Sequence, residues 1–165
     1  MLRDRHDEMQ TDHIRLTLEP PDGIAARTCR AAYFDELTRR FEAGFDPRAG
    51  KAERDDDMAP PTGAFLVARL EGEAVGCGGF RRLDAATAEI KRMWIAPAAR
   101  GHGLARRLLR EIERLAREAG YAEIRLDTNR ALAEAQTLYR REGYREIARY
   151  NDNPYADHWF GKPLA

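Results

Sequence analysis

The sequence has too little cysteine for a disulfide framework or a zinc site: its two cysteines, Cys29 and Cys77, lie far apart. Both read as small buried hydrophobes rather than reactive thiols. The four histidines, His6, His13, His102 and His158, show no ligand spacing, so no metal is expected. Net charge is also missing, with 28 basic residues against 28 acidic ones. That balance argues against a dedicated nucleic-acid or membrane-surface protein. No apolar run approaches the ~20 residues of a membrane span. The first residues, MLRDRHDEMQTDH, lack the apolar core of a signal peptide, so a cytoplasmic location is expected. There is no internal repeat, no low-complexity tract, and no motif of a serine or cysteine nucleophile.

The chain does have periodic apolar residues, which sets it apart from a disordered chain of similar charge. At 165 residues it is most simply one domain, long enough to bury a sizeable core. Residues 1–12 are expected to form a disordered tail, and 13–165 a single domain. The alternation of Ile14, Leu16 and Leu18 predicts a strand over 13–18, and a helix follows from Ile24 to Ala43. Strands are expected over 65–70 and 75–83, joined by a Glu71-Gly72 turn. The run Gly76-Cys77-Gly78-Gly79 is poor strand material and suggests a bulge or a close backbone approach. A strand over 88–95, a helix over 103–119, a strand around Ile124 and Leu126, and a helix over 132–142 come next. Two strands, 144–150 and 158–164, end the chain. This order implies an α/β (α+β) sandwich around a mixed, largely antiparallel sheet. Residues 46–62, with their prolines and the charge run 51–57, read as a solvated loop or short helix. A flap over an acceptor site is the other reading.

One stretch carries most of the functional information, EIKRMWIAPAARGHGLARRLL, Glu89 to Leu109. It is a strand stopped by Pro97, then a glycine-bearing loop, then an amphipathic helix. A helix N-terminus exposes unpaired N–H groups and favours negative charge. Here it carries Arg100, Arg106, Arg107 and Arg110, with no acid before Glu111. An anionic ligand would make that arrangement favourable, and Gly101 and Gly103 would let the backbone approach it closely. The loop lacks the Gly-Lys-Ser/Thr of a Walker A motif. Arg106 stands where a dinucleotide fingerprint needs its third glycine.

Arg100-Gly101-His102-Gly103-Leu104-Ala105 is similar to the Arg/Gln-x-x-Gly-x-Gly/Ala motif of the GCN5-related N-acetyltransferase (GNAT) superfamily. Leu138-Tyr139-Arg140-Arg141-Glu142-Gly143-Tyr144 resembles that family's Leu-Tyr-x-x-x-Gly-Phe/Tyr signature. The predicted element order also matches the GNAT fold. The resemblance implies acetyl-CoA as acetyl donor, with its pyrophosphate on Arg100, Gly101, His102, Gly103, Leu104, Ala105 and Arg106. Pantetheine would lie along Met93, Trp94 and Ile95, on a strand that splays from its neighbour. Tyr139 would be the acid that protonates the departing thiolate, unless it is plain core. Ala88-Glu89-Ile90 resembles the base-carrying segment of the histone-acetylating branch, and alternation places Glu89, Met93 and Ile95 on one face. The other reading of Glu89 is an ion pair with Arg81 or Arg82. Lys91 and Arg92 depart from that branch, whose strand is apolar there. His102 reads as a spacer, and Asn129 as either a cofactor contact or an Asx turn.

The expected reaction is direct transfer, through a ternary complex, to a primary amine of a small molecule or protein. Tyr33, Tyr150, Asn151 and Tyr155 are the candidate acceptor contacts. Two rivals stay open: a non-catalytic acyl-CoA sensor or scaffold, and a phosphate-binding regulatory domain. An exposed sheet edge makes a homodimer an expectation as well.

Overall fold

The computed structural model describes residues 13–47 and 55–165. The expected tail, 1–12, and part of the charge run fall outside them. The elements are β1 (Ile14–Leu18), α1 (Ile24–Arg40), β2 (Ala64–Leu70), β3 (Glu73–Arg82), β4 (Thr87–Ile95), α2 (Leu104–Glu118), β5 (Glu123–Thr128), α3 (Ala133–Arg141), β6 (Arg145–Glu146) and β7 (His158–Pro163). The strands form one sheet in the order β1-β2-β3-β4-β5-β7-β6. Every neighbouring pair is antiparallel except β4–β5. Among the described residues no helix is long and apolar enough to cross a membrane.

Two apolar clusters sandwich the sheet. On one face α2 buries Leu104, Leu108, Leu109, Ile112 and Ala116 against Phe80, Ile90, Ile124 and Leu126, joined by Tyr139 of α3. These α2 positions recur at helical spacing, which is why the sequence shows the helix so clearly. On the other face α1 contributes Ala26 and Cys29 to a smaller cluster with Met58, Phe65, Val67 and Cys77. The Glu71-Gly72 turn has positive φ at both residues, 51° and 85°, as a two-residue hairpin turn requires.

Three local expectations change. First, α1 stops at Arg40, because Phe41 turns to extended backbone (φ −83°, ψ 130°) and packs its ring 5.8 Å from both Phe45 and Tyr155. Second, the expected strand 144–150 shrinks to Arg145–Glu146. Beyond Ile147, residues Asn151 and Asn153 are held by side-chain hydrogen bonds to Asp127 rather than by a ladder. Third, the irregularity announced by the β3 glycines is an extra residue in β4. Cys77 faces Trp94 while Gly79 faces Lys91. Arg92, at φ 62°, absorbs the step.

That bulge reverses the face of everything after it. Opposed residues share a face, so Glu89, Lys91 and Trp94 lie on the Cys77 side, towards α1. Met93 and Ile95 join Ile90 on the α2 side. Simple alternation would have put Glu89 with Met93 and Ile95, and the structure separates them.

Candidate active site

β4 and β5 run parallel for a short distance and then part. Their register pairs are Thr87–Glu123, Ala88–Ile124 and Glu89–Arg125. From Ile90 onward β4 keeps β3 on one side and has no β5 partner on the other among the described residues. A cavity of about 500 Å³ occupies the gap. Met93, Tyr139, Tyr33, Asn129, Asn151 and Tyr155 line it, so the structure brings together residues that lie far apart in sequence. Tyr139 is 6 % exposed, its ring 5.7 Å from that of Tyr144. Burial, reinforced by the nearby Tyr33 and Asp127, pushes its hydroxyl well above the usual tyrosine range. It therefore holds its proton at neutral pH. Burial also raises Tyr33, to about 12.

The closed end of the gap is a buried polar network. Glu89 is 0 % exposed. Its Oε1 accepts from Arg81 Nε at 2.9 Å, the partner directly across from it in β3. Asn151 Nδ2 donates to Asp127 Oδ2 at 2.6 Å and reaches Glu89 Oε2 at 3.4 Å. Lys91 Nζ bridges the strands, 3.7 Å from Glu89 and 3.8 Å from Asp127. Trp159 Nε1 donates to Asn151 Oδ1 at 2.9 Å, and Asn153 Nδ2 donates to Asp127 Oδ1 at 3.1 Å. Burying this many polar groups is tolerable because they satisfy one another. Tyr150 sits beside this network rather than in the cavity lining. Burial first, then the charge of Glu89, pushes its hydroxyl strongly up.

At the other end of β4 the chain turns through Pro97–Ala99 into the glycine loop. Gly101 and Gly103 take φ 86° and 75°, which L side chains rarely adopt. α2 then opens with Gly103 as N-cap, no side-chain cap and no acid in its first turn. Arg100 donates from Nε to the Ile95 carbonyl at 2.9 Å and pairs with Glu36 of α1. Arg106 and Arg110 project beside α2 with side chains 59 % and 61 % exposed, both facing Glu142.

The remaining sequence-derived residues are placed as follows. Asn129 makes an Asx turn, accepting from Ala131 N at 2.8 Å, and donates to the Tyr155 carbonyl at 2.6 Å while lining the cavity. Trp94 packs on the α1 side, its Nε1 buried without a hydrogen-bond partner among the described residues. His102 faces a second, smaller cavity near Val75 and Ala96. In the 46–62 segment, Asp46 and Pro47 line the main cavity, Asp55 pairs with Arg30 and Arg92, and Met58 is buried. Sequence reading passed over Asp127, Phe41 and Phe45. Asp127 sits at the polar phase of a strand and looks like an ordinary solvent-facing residue. The two phenylalanines belong to an aromatic patch, Phe45 5.3 Å from Phe34 and 4.8 Å from Tyr155, assembled by residues more than a hundred positions apart in the chain.

Both the sequence and the fold have counterparts among known proteins. Residues 30–144 match the acetyltransferase (GNAT) family, and the chain belongs to that family. The chain is 42% identical over 88 residues to an IAA acetyltransferase of Azospirillum brasilense, a match covering 53% of this chain and 58% of that protein. It is 34% identical to the N-alpha-acetyltransferase RimI of Mycobacterium tuberculosis, covering 68% of this chain and 70% of that one. The chain thus spans little more than half the length of the Azospirillum relative. Among solved structures, an acyl-CoA N-acyltransferase fold from Klebsiella pneumoniae superposes with TM-score 0.72 at 28% identity, over 92% of this chain and 98% of that one. A GNAT acetyltransferase from Elizabethkingia anophelis with acetyl-CoA bound has the same fold at TM-score 0.60 and 15% identity, over 92% and 99% of the two chains.

Proposed function

We propose that this protein transfers an acetyl group from acetyl-CoA to a primary amine, on a small molecule or a protein, by direct attack in a ternary complex. The observation that carries this reading is the open side of β4 leading into the uncapped start of α2. The two features suit the two ends of coenzyme A. On the side away from β3, the β4 backbone at Met93, Trp94 and Ile95, apart from the Ile95 carbonyl that Arg100 holds, can take the pantetheine amides as a neighbouring strand would. The uncapped start of α2, reached through Gly101 and Gly103, can take pyrophosphate on its first backbone amides, up to Arg106, and at the positive end of its dipole. Acetyl-CoA, when bound, supplies an activated thioester.

The chain supplies the rest. Tyr139 is the proposed acid for the departing thiolate, a role supported by its place in the cavity lining and by burial that keeps its hydroxyl protonated. The acceptor amine must lose a proton before or during attack. Glu89 is the proposed base, and the structure constrains how it can serve. It is fully buried and held by Arg81, so protons would reach it through the cavity-lining Asp127, Asn151 and Lys91 rather than directly from the acceptor. Tyr33 and Tyr155 form the wall where an acceptor would enter. The names of relatives such as RimI support an amine acceptor without choosing among amines.

Calorimetric titration with acetyl-CoA, free CoA and ATP tests the reading. Micromolar binding of the two CoA species with little ATP binding is the expected result. No binding, or equal binding of ATP, would overturn it. Product formation across an amine panel separates an enzyme from a CoA-binding sensor.

A further inference from the structure

The β4 bulge is an unusual piece of backbone with an unusual partner. Two β4 residues, Arg92 and Met93, stand opposite Gly78 alone. Arg92 holds φ 62°, a conformation that side chains with a Cβ avoid unless their surroundings impose it. Four contacts impose it here. The Arg92 guanidinium pairs with Asp55 at 3.2 Å and lies 4.9 Å from the Phe34 ring centre. Met93 packs over Gly78, where a Cβ would stand 2.6 Å from its Sδ. The Cys77 thiol, 0 % exposed, donates to the Arg92 carbonyl oxygen at 3.2 Å. Burial pushes the Cys77 thiol well up, so it keeps its proton and remains a donor.

A trans peptide is planar, and its C=O and N–H point in opposite directions. The Arg92 carbonyl is turned towards Cys77, on the α1 side of the sheet. The Met93 N–H is therefore turned away from Cys77, and Met93 lines the cavity where β4 has lost β5. We propose that Cys77 is a positioning residue for acetyl transfer: its S–H···O bond to Arg92 fixes the Arg92–Met93 peptide with the Met93 N–H aimed into the cleft, ready to donate to the thioester carbonyl oxygen. This rests on the acetyltransferase reading. In the tetrahedral transition state that oxygen gains negative charge, and a donor already in place needs no reorganisation. Cys29, the other thiol of the cluster, neighbours Cys77 but donates to the Gly76 carbonyl at 3.6 Å rather than to the bulge peptide.

The test compares two ligands of nearly equal size, acetyl-CoA and its thioether S-ethyl-CoA, which lacks the thioester carbonyl oxygen. Wild type should prefer acetyl-CoA by about fivefold, the worth of one hydrogen bond. Cys77→Ser, which keeps a donor, and Cys29→Ala should retain that preference. Cys77→Ala should bring it to within about twofold, with S-ethyl-CoA affinity unchanged. Cys77→Val, closer in shape and also without a donor, gives the same readout if the alanine variant does not fold. A preference retained in the alanine or valine variant overturns the positioning role. So does a parallel loss of both ligands, which marks a merely structural residue. Equal binding of both ligands by wild type overturns the Met93 donor and leaves the acetyltransferase reading standing. Binding of neither overturns both.

Discussion

At Ala88 and Glu89 β4 is paired on both sides, to β3 and to β5, whereas over its last residues it holds β3 alone among the described residues. The two ends handle polarity in opposite ways. The closed end carries the charged side chains of Glu89 and Lys91, and answers them with Arg81, Asp127 and Asn151. The open end carries the apolar side chains of Met93 and Ile95 and the indole of Trp94, and its backbone has no β5 partner among the described residues. The comparison teaches where a ligand belongs. Groups satisfied by the protein hold the strands together, and a strand side without a partner is where the proposed cofactor would find its hydrogen bonds.

The largest expected effect breaks the closed end. Glu89→Ala leaves Arg81 and Lys91 without their buried carboxylate. It should cost about 3 kcal/mol, the lower end for a broken buried pair because Arg81 also faces Asp57. Urea unfolding measures it, and a loss below ~1 kcal/mol would show that the network does not hold the strands. Next, at the open end, Tyr139→Phe should lower kcat about a hundredfold once an acceptor is known, while stability changes little. An unchanged kcat across pH would remove Tyr139 as the acid. Gly103→Val should destabilise by about 1–2 kcal/mol through its positive φ alone, since a Cβ there meets nothing within 4 Å. CoA binding should weaken further than that stability loss explains; a purely structural effect would leave the affinity of the folded fraction intact. The smallest effect lies away from both ends. Arg69 hydrogen bonds hold the Glu19 carboxyl below its ordinary pKa. That stability is present above the unfolded-state pKa of about 4.3 and is lost as pH falls through the lower folded value. Because the pair is partly exposed, the Tm shift on Arg69→Met should be a degree or two near neutrality and vanish in acid.

The sequence made the scaffold readable wherever one element decided its own shape. The stripe of Leu104, Leu108 and Ile112 specifies α2, the alternation of Ile124 and Leu126 specifies β5, and Gly101 and Gly103 mark the loop. Features set by two strands together were not readable. The bulge at Arg92 depends on how β4 meets the β3 glycines, and it moved Glu89 to the opposite face from Met93 and Ile95. The side-chain clamp of Asn151 and Asn153 on Asp127 likewise replaced most of the strand expected after Tyr144. Of the candidate site, Met93, Tyr139, Tyr33, Asn129, Asn151 and Tyr155 were legible and converge. The buried polar network was not, because Lys91 and Asp127 look like solvent-facing residues until the strands part.

The brevity of the β4–β5 pairing has a mechanical consequence. Among the described residues the strand ladder joins a four-stranded half-sheet, β1 to β4, to a three-stranded one, β5, β7 and β6, through three register pairs, with the side-chain network of Glu89, Lys91 and Asp127 beside them. The sheet is two leaves sharing a short spine. Whatever lies between the leaves as an added strand would bind them along their full height. Amide exchange in β5, which loses β4 beyond Arg125, should therefore slow on ligation more than exchange in β2, which already has β1 and β3 on its two sides.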